Sequence, residues 1–221
     1  MNEKKQLPVQ KGKSYEIDIA HLGTGGEGIG RYEGFTVFVP YALPGERVRA
    51  RIDLVKKQYA TAVLEEVIKP SPDRVKPECP VYDRCGGCQL QHMTYEGELK
   101  EKRQQVQDAI ERIGHLKEVT ILPTLGAKTP WNYRNKMQFP VAAVGKHNVA
   151  IGCFAAATHQ VIDVKNCAIQ KEQNNVIAGV VRQWMKDYKI PAYNEDLRTG
   201  IVRHIMGRVG VHTGEIMVCL V

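Results

Sequence analysis

The chain has 221 residues, of which 43% are hydrophobic, and this is enough for two small domains with ordinary cores. Lysine and arginine outnumber aspartate and glutamate by 31 to 24, so the formal charge of +7 is compatible with a polyanionic partner. The chain contains no apolar run of about 18 residues, so we expect no membrane-spanning helix.

The first third of the chain is predicted to form short strands separated by glycine-rich turns. Apolar and polar residues alternate there with the period of half-buried strands. The alternating segments are residues 15–20, 35–39, 48–54 and 59–67. Four or five such strands, packed into roughly sixty residues, predict a small closed barrel of the oligonucleotide-binding kind.

The turn after the first strand has the spacing of a dinucleotide-binding fingerprint. Gly23, Gly25 and Gly28 fit the pattern G-x-G-x-x-G. That fingerprint needs a helix whose N-terminus receives the pyrophosphate. A second strand follows here instead, so we do not expect nucleotide binding at this turn.

Basic residues on the predicted barrel are the first candidates for contacts with a nucleic acid. Arg47, Arg49 and Arg51 alternate with apolar residues and therefore share one outward strand face. The pattern is equally typical of a solvated strand face, and by itself it leaves both interpretations open. Lys56 and Lys57 lie in the following hairpin, where they would add contacts to phosphates.

Prolines mark a predicted domain boundary. Three prolines fall within residues 69–77, and proline can continue neither a helix nor a central strand. We therefore predict a barrel over residues 8–68, a linker over 69–78 and a central α+β domain over 79–221.

Two helices are predicted in the central domain. The first spans residues 94–114, with Thr94 as its N-cap and Gly114 at its end. The second is predicted from four apolar residues that step by four and are interpreted as a core-facing stripe. These residues are Val176, Val180, Trp184 and Tyr188.

A cysteine-rich loop opens the central domain. Cys79, Cys85 and Cys88 lie close together, and two glycines between the last pair let the backbone turn so that both sulfurs face one point. Cys167 is the best candidate for the fourth thiolate that a zinc ion or a cubane iron–sulfur cluster needs. Three local ligands and one remote ligand favour a cluster, but spacing alone leaves zinc open.

The other cysteines fit a ligand role less well. Cys153 and Cys219 lie in apolar runs and are interpreted as small buried hydrophobic residues. We do not expect disulfides, because the polar N-terminal sequence does not resemble a signal peptide. Free thiols without a secretion signal indicate a reducing, cytoplasmic location.

A second group of basic and aromatic residues follows the cysteine loop. A strand beginning at Trp131 would place Tyr133 on one face and Arg134, Lys136 and Gln138 on the other. The basic side chains can neutralise phosphates, and the amide can contact a base edge. A solvated strand face is the alternative. The two aromatic rings can stack on unpaired bases, although core packing is the commoner fate of such rings.

The cysteine segments carry a recognisable motif. The loop reads Cys-Pro-x-Tyr-x-x-Cys-Gly-Gly-Cys-Gln-x-Gln-His, and Cys167 follows Asp-x-x-Asn. This pattern resembles the bacterial ribosomal RNA branch of the RNA uracil-5-methyltransferases. Members of that family carry an N-terminal TRAM domain, a central domain with a [4Fe-4S] cluster and a C-terminal domain that uses S-adenosylmethionine. Gly25-Gly26-Glu27-Gly28 and Pro44-Gly45-Glu46 resemble the TRAM domain, which favours RNA contact for the arginine stripe.

The resemblance implies a mainly β fold with some helix, in which an OB-like TRAM barrel precedes a cluster-holding α+β domain. It implies that Cys79, Cys85, Cys88 and Cys167 ligate a [4Fe-4S] cluster. It also implies that the Tyr-Arg-x-Lys segment beginning at Tyr133 lies near the RNA. The partner implied for the full-length protein is 23S rRNA, modified at uracil by a cytoplasmic monomer.

The catalytic features of the family are not recognised in this chain. We find neither its nucleophilic cysteine motif nor its carboxylate base, and the sequence stops within an apolar strand. We therefore expect a chain that binds RNA and a cluster but is inactive as a methyltransferase, with the helix at 94–114 packing on the missing domain. The alternative is a free-standing RNA-binding module stabilised by a cluster or by zinc.

Overall fold

The computed structural model of the protein describes residues 7–145 and 148–221. The chain divides into two compact units, which we call the barrel unit and the sheet unit. The barrel unit comprises the chain up to Pro77 together with Gln89–Gly126, and the sheet unit comprises Glu78–Cys88 and Ala127–Val221. This division differs from the single boundary that the prolines predict, because residues 89–126 return to the barrel. No helix in the described part of the chain is long and apolar enough to cross a membrane.

Five strands of the barrel unit form a closed barrel. They are β1 (Ser14–Leu22), β2 (Gly28–Tyr32), β3 (Phe35–Val39), β4 (Arg47–Val55) and β5 (Tyr59–Lys69). Their order is β1-β2-β3-β5-β4, and β4 pairs with β1 to close the ring. Only β3 and β5 run parallel. The barrel predicted from alternation is therefore confirmed.

Alternation of side chains creates the barrel interior. Ile17, Val37, Val48 and Ile52 are fully buried, and their polar neighbours in sequence point outward. Gly30 is required where β1 and β2 approach each other, because a β-carbon there would lie 2.5 Å from the Asp18 carbonyl oxygen. Apolar burial of this kind is the main stabilising term for such a barrel.

The proline-rich segment after β5 is held against the barrel by a buried charge network. The Arg74 guanidinium donates to the Glu46 carboxylate and to the Tyr41 carbonyl, each over 2.7 Å. Glu46 is buried and also accepts from the backbone N–H groups of Leu43 and Ser71. Burial raises the pKa of Glu46, but these hydrogen bonds outweigh it and hold the pKa below its usual value.

A helix follows the cysteine loop and rejoins the barrel unit. Helix α1 spans Tyr95–Asp108, and the Thr94 hydroxyl caps it by accepting from the Gly97 N–H over 3.1 Å. A π-helical turn, Ala109–Ile113, continues it to Gly114. The predicted N-cap and the predicted end are both confirmed.

Helix α1 contacts the barrel through a polar side chain and leaves apolar ones in solvent. The Gln105 amide donates to the Gly23 carbonyl over 3.2 Å. Val106 and Ile113 are 49% and 80% exposed. The helix therefore has an apolar surface that the described residues do not cover.

The sheet unit is built on a five-stranded antiparallel sheet. Its strands are β6 (Lys136–Val144), β7 (Asn148–Phe154), β8 (Val161–Asp163), β9 (His204–Val209) and β10 (Ile216–Leu220). Their order is β10-β9-β6-β7-β8. The strand predicted to begin at Trp131 begins only at Lys136. Asn132 has a φ of 52°, which interrupts the extended backbone before β6.

Helix α2 (Glu172–Asp187) shows that the predicted core stripe was wrong. Val176, Val180 and Tyr188 are exposed, and only Trp184 of that stripe is partly buried. The buried side carries Asn174, Ala178, Val181 and Met185. A strict step of four drifts by about 40° at each step around a helix of 3.6 residues per turn, whereas steps of four, three and four stay on one face.

Candidate nucleic-acid interface and thiol site

The arginine stripe on β4 is paired with carboxylates of the flanking strands. Arg47 makes a bidentate contact with Asp18, with two N–O distances of 2.8 Å, and this hydrogen bond lowers the pKa of Asp18. The other pairs are Arg49 with Glu66 (2.6 Å) and Glu16 (3.4 Å), and Arg51 with Glu65 (3.1 Å). Three guanidinium groups thus face four carboxylates, and the stripe carries no excess positive charge.

The β4–β5 hairpin has a different electrostatic character. Lys56 and Lys57 are exposed there, and the Lys56 N–H donates to the Tyr59 carbonyl over 2.8 Å to close the turn. Within the described part of the chain, neither lysine forms an ion pair. Their charge is therefore available to phosphates.

In the sheet unit, the four predicted contact residues all face solvent. Tyr133 is 61% exposed. It therefore does not pack in the core, which was the alternative that the sequence left open. Arg134, Lys136 and Gln138 are exposed as well. Lys136 lies opposite Arg208 of β9 in the sheet register, which places two cations on one outer face. The sequence could not reveal that Arg208 lies opposite Lys136, because the pairing of β6 with β9 determines which residues are neighbours.

The basic segment runs beside the chain that follows Cys167. The Arg134 N–H donates to the Ile169 carbonyl over 2.8 Å, and the Lys171 N–H donates to the Arg134 carbonyl over 2.9 Å. The Asn175 side chain accepts from the Cys167 N–H over 2.9 Å. Backbone pairing therefore joins a predicted RNA-contact segment to a predicted ligand.

The cysteine loop is fixed on the end of β7. The Gly86 N–H donates to the Phe154 carbonyl over 3.0 Å, and a β-carbon at position 86 would lie 2.9 Å from that oxygen. The Gly87 N–H donates to the Cys85 sulfur over 3.4 Å. Only a residue without a side chain fits at Gly86, which explains one glycine of the motif physically.

Cys153 lies beside the loop as an additional thiol. Its interaction with Cys85 lowers the pKa of Cys85 to about 6 against the opposing effect of burial. The same interaction and burial raise the pKa of Cys153. The sequence interpretation of Cys153 as a small buried hydrophobic residue is thus incomplete, because its side chain is only half-buried and also contacts Cys85.

The Cys167 thiol interacts with thiols of the cysteine loop. Burial raises the pKa of Cys167 against the backbone N–H groups of Ile169 and Gln170, and the nearby Cys79 and Cys85 thiols raise it further. Cys88 is half-buried in the same loop, and Cys219 is half-buried on β10. Side chains from both cysteine segments therefore interact electrostatically.

The thiols have the right chemistry for an iron–sulfur group, but the described side chains are not arranged as a complete set of ligands. Thiolate sulfur is the ordinary ligand of such groups, and the thiols approach from two distant chain segments. Among the residues that the structure describes, no group of three or more His, Cys, Asp or Glu side chains is arranged to hold a metal ion. The four-cysteine ligand set therefore stays a prediction.

Comparison with known proteins identifies similar chains and one domain type. Residues 8–64 match the TRAM domain family. The chain is 46% identical over 215 residues to the uncharacterized RNA methyltransferase BH0897 of Halalkalibacterium halodurans, a match that covers 96% of this chain and 46% of that protein. It is 43% identical to an uncharacterized RNA methyltransferase of Clostridium tetani, covering 99% of this chain and 47% of the relative. The chain spans about half the length of the curated relatives it matches.

A solved structure has a similar fold. It is the Pyrococcus abyssi tRNA (uracil-54, C5)-methyltransferase in complex with S-adenosyl-L-homocysteine, which is 25% identical to this chain with a TM-score of 0.65. The match covers 93% of this chain and 45% of the archaeal protein.

Proposed function

We propose that this chain is the RNA-recognition part of an S-adenosylmethionine-dependent RNA uracil-5-methyltransferase that acts on 23S rRNA in the cytoplasm as a monomer. The observation that carries the proposal is similarity to RNA methyltransferases along 96% of the chain, together with a TRAM match over residues 8–64. The likeness to a uracil-5-methyltransferase structure supports the choice of base and position.

Two surfaces of the chain are suited to RNA, one in each unit. On the barrel unit, Lys56 and Lys57 are exposed and form no ion pair with another described residue. On the sheet unit, the exposed group comprises Tyr133, Arg134, Lys136, Gln138 and Arg208. Cations of this kind supply affinity through counterion release, while the tyrosine ring and the amide can contact unpaired bases.

The arginine stripe has a smaller part in this proposal. A phosphate that approaches Arg47 must displace Asp18, and the charge on the stripe is already compensated. Exposed ion pairs are weak, so displacement is feasible but yields little net attraction. We assign to Arg47, Arg49 and Arg51 contacts that are weaker than those of the hairpin lysines.

We further propose that Cys79, Cys85, Cys88 and Cys167 hold a [4Fe-4S] cluster. When bound, the cluster would cross-link the loop to the Cys167 segment. The backbone hydrogen bonds between Arg134 and residues 169–171 would then hold Arg134 and Tyr133 next to the immobilised Cys167 segment. The residues of the chain itself hold RNA in this account, and the cluster has a structural role.

Methyl transfer is proposed to require residues outside this chain. The relatives are about twice as long, and the matched region covers only 46–47% of them. S-adenosylmethionine is accordingly assigned to the full-length protein. Val106 of α1 and Ile113 of the following π-helical turn are exposed apolar residues, and we propose that they pack on the catalytic domain of the full-length protein.

Binding of RNA tests the recognition role directly. We expect fluorescence anisotropy with labelled 23S rRNA segments to show binding whose affinity falls steeply with salt. Replacing both hairpin lysines by glutamine should reduce the slope of log K against log[salt] by roughly 1.4–1.8. The matched control Arg47→Gln/Arg49→Gln should reduce it by less. An absence of RNA binding by the wild-type chain would overturn the recognition role.

Analysis of cellular RNA tests the enzymatic part. Disruption of the gene should remove one or more 5-methyluridines from ribosomal RNA, as measured by nucleoside mass spectrometry. Unchanged 5-methyluridine in the presence of RNA binding would instead support the free-standing binding module.

A further inference from the structure

An aromatic pair lies on the outer face of the barrel. The rings of Phe38 on β3 and Tyr59 on β5 meet edge to face, with centroids 5.4 Å apart and an interplanar angle of 90°. Val37, Val39 and Ala60, their neighbours in sequence, are buried in the barrel interior, so Phe38 and Tyr59 point outward. Tyr59 is 38% exposed. These rings are therefore not part of the barrel core.

The strand register adds cations to this face. Thr36 pairs with both Arg31 on β2 and Tyr59 on β5, so these three residues form one row across three strands. Phe38 lies two residues further along β3 on the same face. Lys56 and Lys57 precede Tyr59 in the hairpin.

The cations on this face outnumber the carboxylate beside it. Asp53 accepts a hydrogen bond from Thr61 of β5, which pairs with Phe38. In the described ranges, Arg31, Lys56 and Lys57 form no ion pair, in contrast to the three arginines of β4. A polyanion therefore meets net positive charge here and balanced charge on the β1–β4 side of the barrel. This difference selects the face formed by β2, β3 and β5.

The loop after β1 is covered by another part of the barrel unit and is not open to a nucleic acid. Oligonucleotide-binding barrels contact their ligands through strands 2 and 3 and through the loops after strands 1 and 4. Here the loop after β1 packs against the chain of α1. Gln105 donates to the Gly23 carbonyl, and a β-carbon at Gly26 would lie 2.9 Å from that of Gln89. The β4–β5 hairpin with Lys56 and Lys57 remains open.

We propose that Arg31, Phe38, Lys56, Lys57 and Tyr59 form a site for unpaired bases of RNA, which we call the stacking site. The inference rests on the proposed RNA-recognition function and specifies a single-stranded ligand for the barrel. Aromatic side chains receive the faces of bases that are free of a helical stack, while the three cations neutralise the flanking phosphates. A duplex offers the phosphates but not the base faces, so it engages only the cations.

The test compares a single-stranded with a double-stranded probe on the full chain. We would measure fluorescence anisotropy with an unstructured uridine-rich 12-nucleotide RNA and with an RNA duplex of the same length. Tyr59→Leu keeps an apolar side chain but removes the aromatic ring. It should weaken single-strand binding roughly 5- to 100-fold and leave duplex binding unchanged.

Two further variants serve as controls, one for the contribution of charge and one for the loss of an aromatic ring elsewhere. Lys56→Gln/Lys57→Gln should weaken binding of both probes and reduce the salt dependence. Tyr188→Leu, which removes an exposed ring just after α2, should change neither. If Tyr59→Leu bound the single strand as tightly as wild type, the stacking site would be overturned. The recognition role would still stand, provided that the wild-type chain bound RNA.

A measurement on the wild-type chain guards against a variant that fails to fold. Photocross-linking to 4-thiouridine RNA followed by peptide mass spectrometry should modify Phe38 or Tyr59. Cross-links confined to Tyr133 or other residues of the sheet unit would overturn the stacking site, and no RNA binding at all would overturn the recognition role instead.

Discussion

The thiols of Cys85 and Cys153 interact beside Gly87, and this interaction lowers the pKa of Cys85 and raises that of Cys153. A β-carbon at Gly87 would lie 3.4 Å from one of these sulfurs and 3.5 Å from the other, so the pair is packed directly around that glycine. Cys153 therefore belongs to the surroundings of the cysteine loop, although its sequence neighbours are apolar.

This pair predicts a specific cross-link. In metal-free protein, a short bifunctional thiol reagent such as dibromobimane should join Cys85 to Cys153, because the two sulfurs are adjacent. Peptide mass spectrometry would identify the joined residues. Cys153→Ala should abolish the product and Cys219→Ala should preserve it. A product that joins Cys85 to Cys88 in place of Cys153 would contradict the geometry.

Elemental analysis should decide between an iron–sulfur cluster and zinc. After anaerobic purification we expect about four irons and four sulfides per chain, with broad absorption near 400 nm. Cys167→Ser should lose both the iron and the absorption, since it removes a proposed ligand. The matched variant Cys219→Ser should keep both. One zinc ion without sulfide would refute the cluster and leave a tetrahedral thiolate site in its place.

His92 should make the stability of the barrel unit dependent on pH. Burial and the nearby Arg74 together lower the pKa of His92 from 6.5 to about 4, against the opposing influence of Glu46. The unfolded chain takes up a proton as the pH falls through about 6.5, but the folded chain does so only near 4. The free energy of unfolding should therefore fall by about 2 kcal/mol between pH 7 and pH 5.

Urea unfolding at several pH values would measure this effect. His92→Gln should show a smaller decrease over the same range, because it removes the titrating group. His212→Gln, at an exposed histidine of the sheet unit, should unfold with the wild-type pH dependence. Equal pH dependence in His92→Gln and wild type would argue against a depressed pKa.

Helix α2 offers a matched pair of substitutions. Met185 is 2% exposed and packs in the core of the sheet unit, whereas Val180 is 62% exposed. Met185→Ala should lower the free energy of unfolding by about 2–5 kcal/mol, and Val180→Ala should change it by less than about 0.5 kcal/mol. Denaturant unfolding followed by circular dichroism would measure both. The reverse order would restore the stripe that was predicted from the sequence.

Much of the barrel and of the first helix could be predicted from the sequence because the signals are local. Alternation over a few residues marks β1, β3, β4 and β5, and a closed barrel is what the structure contains. Strand β2 was not predicted, because Gly28–Tyr32 follows a glycine-rich turn and shows no clear alternation. Thr94 and Gly114 bound the helical segment through contacts within one turn. The cysteine motif likewise named a loop and a family resemblance, both of which depend on residue order alone.

Pairings between distant residues were decided only by the tertiary structure. The charge of the arginine stripe depends on Asp18, Glu65 and Glu66, which lie on neighbouring strands and are placed there by register. The contact between Cys85 and Cys153 arises because β7 ends against the loop. Helix α2 could bury either of two apolar stripes, and the sheet selects the one whose spacing stays on a single face. Sequence patterns report which face a residue shares, but packing determines what that face meets.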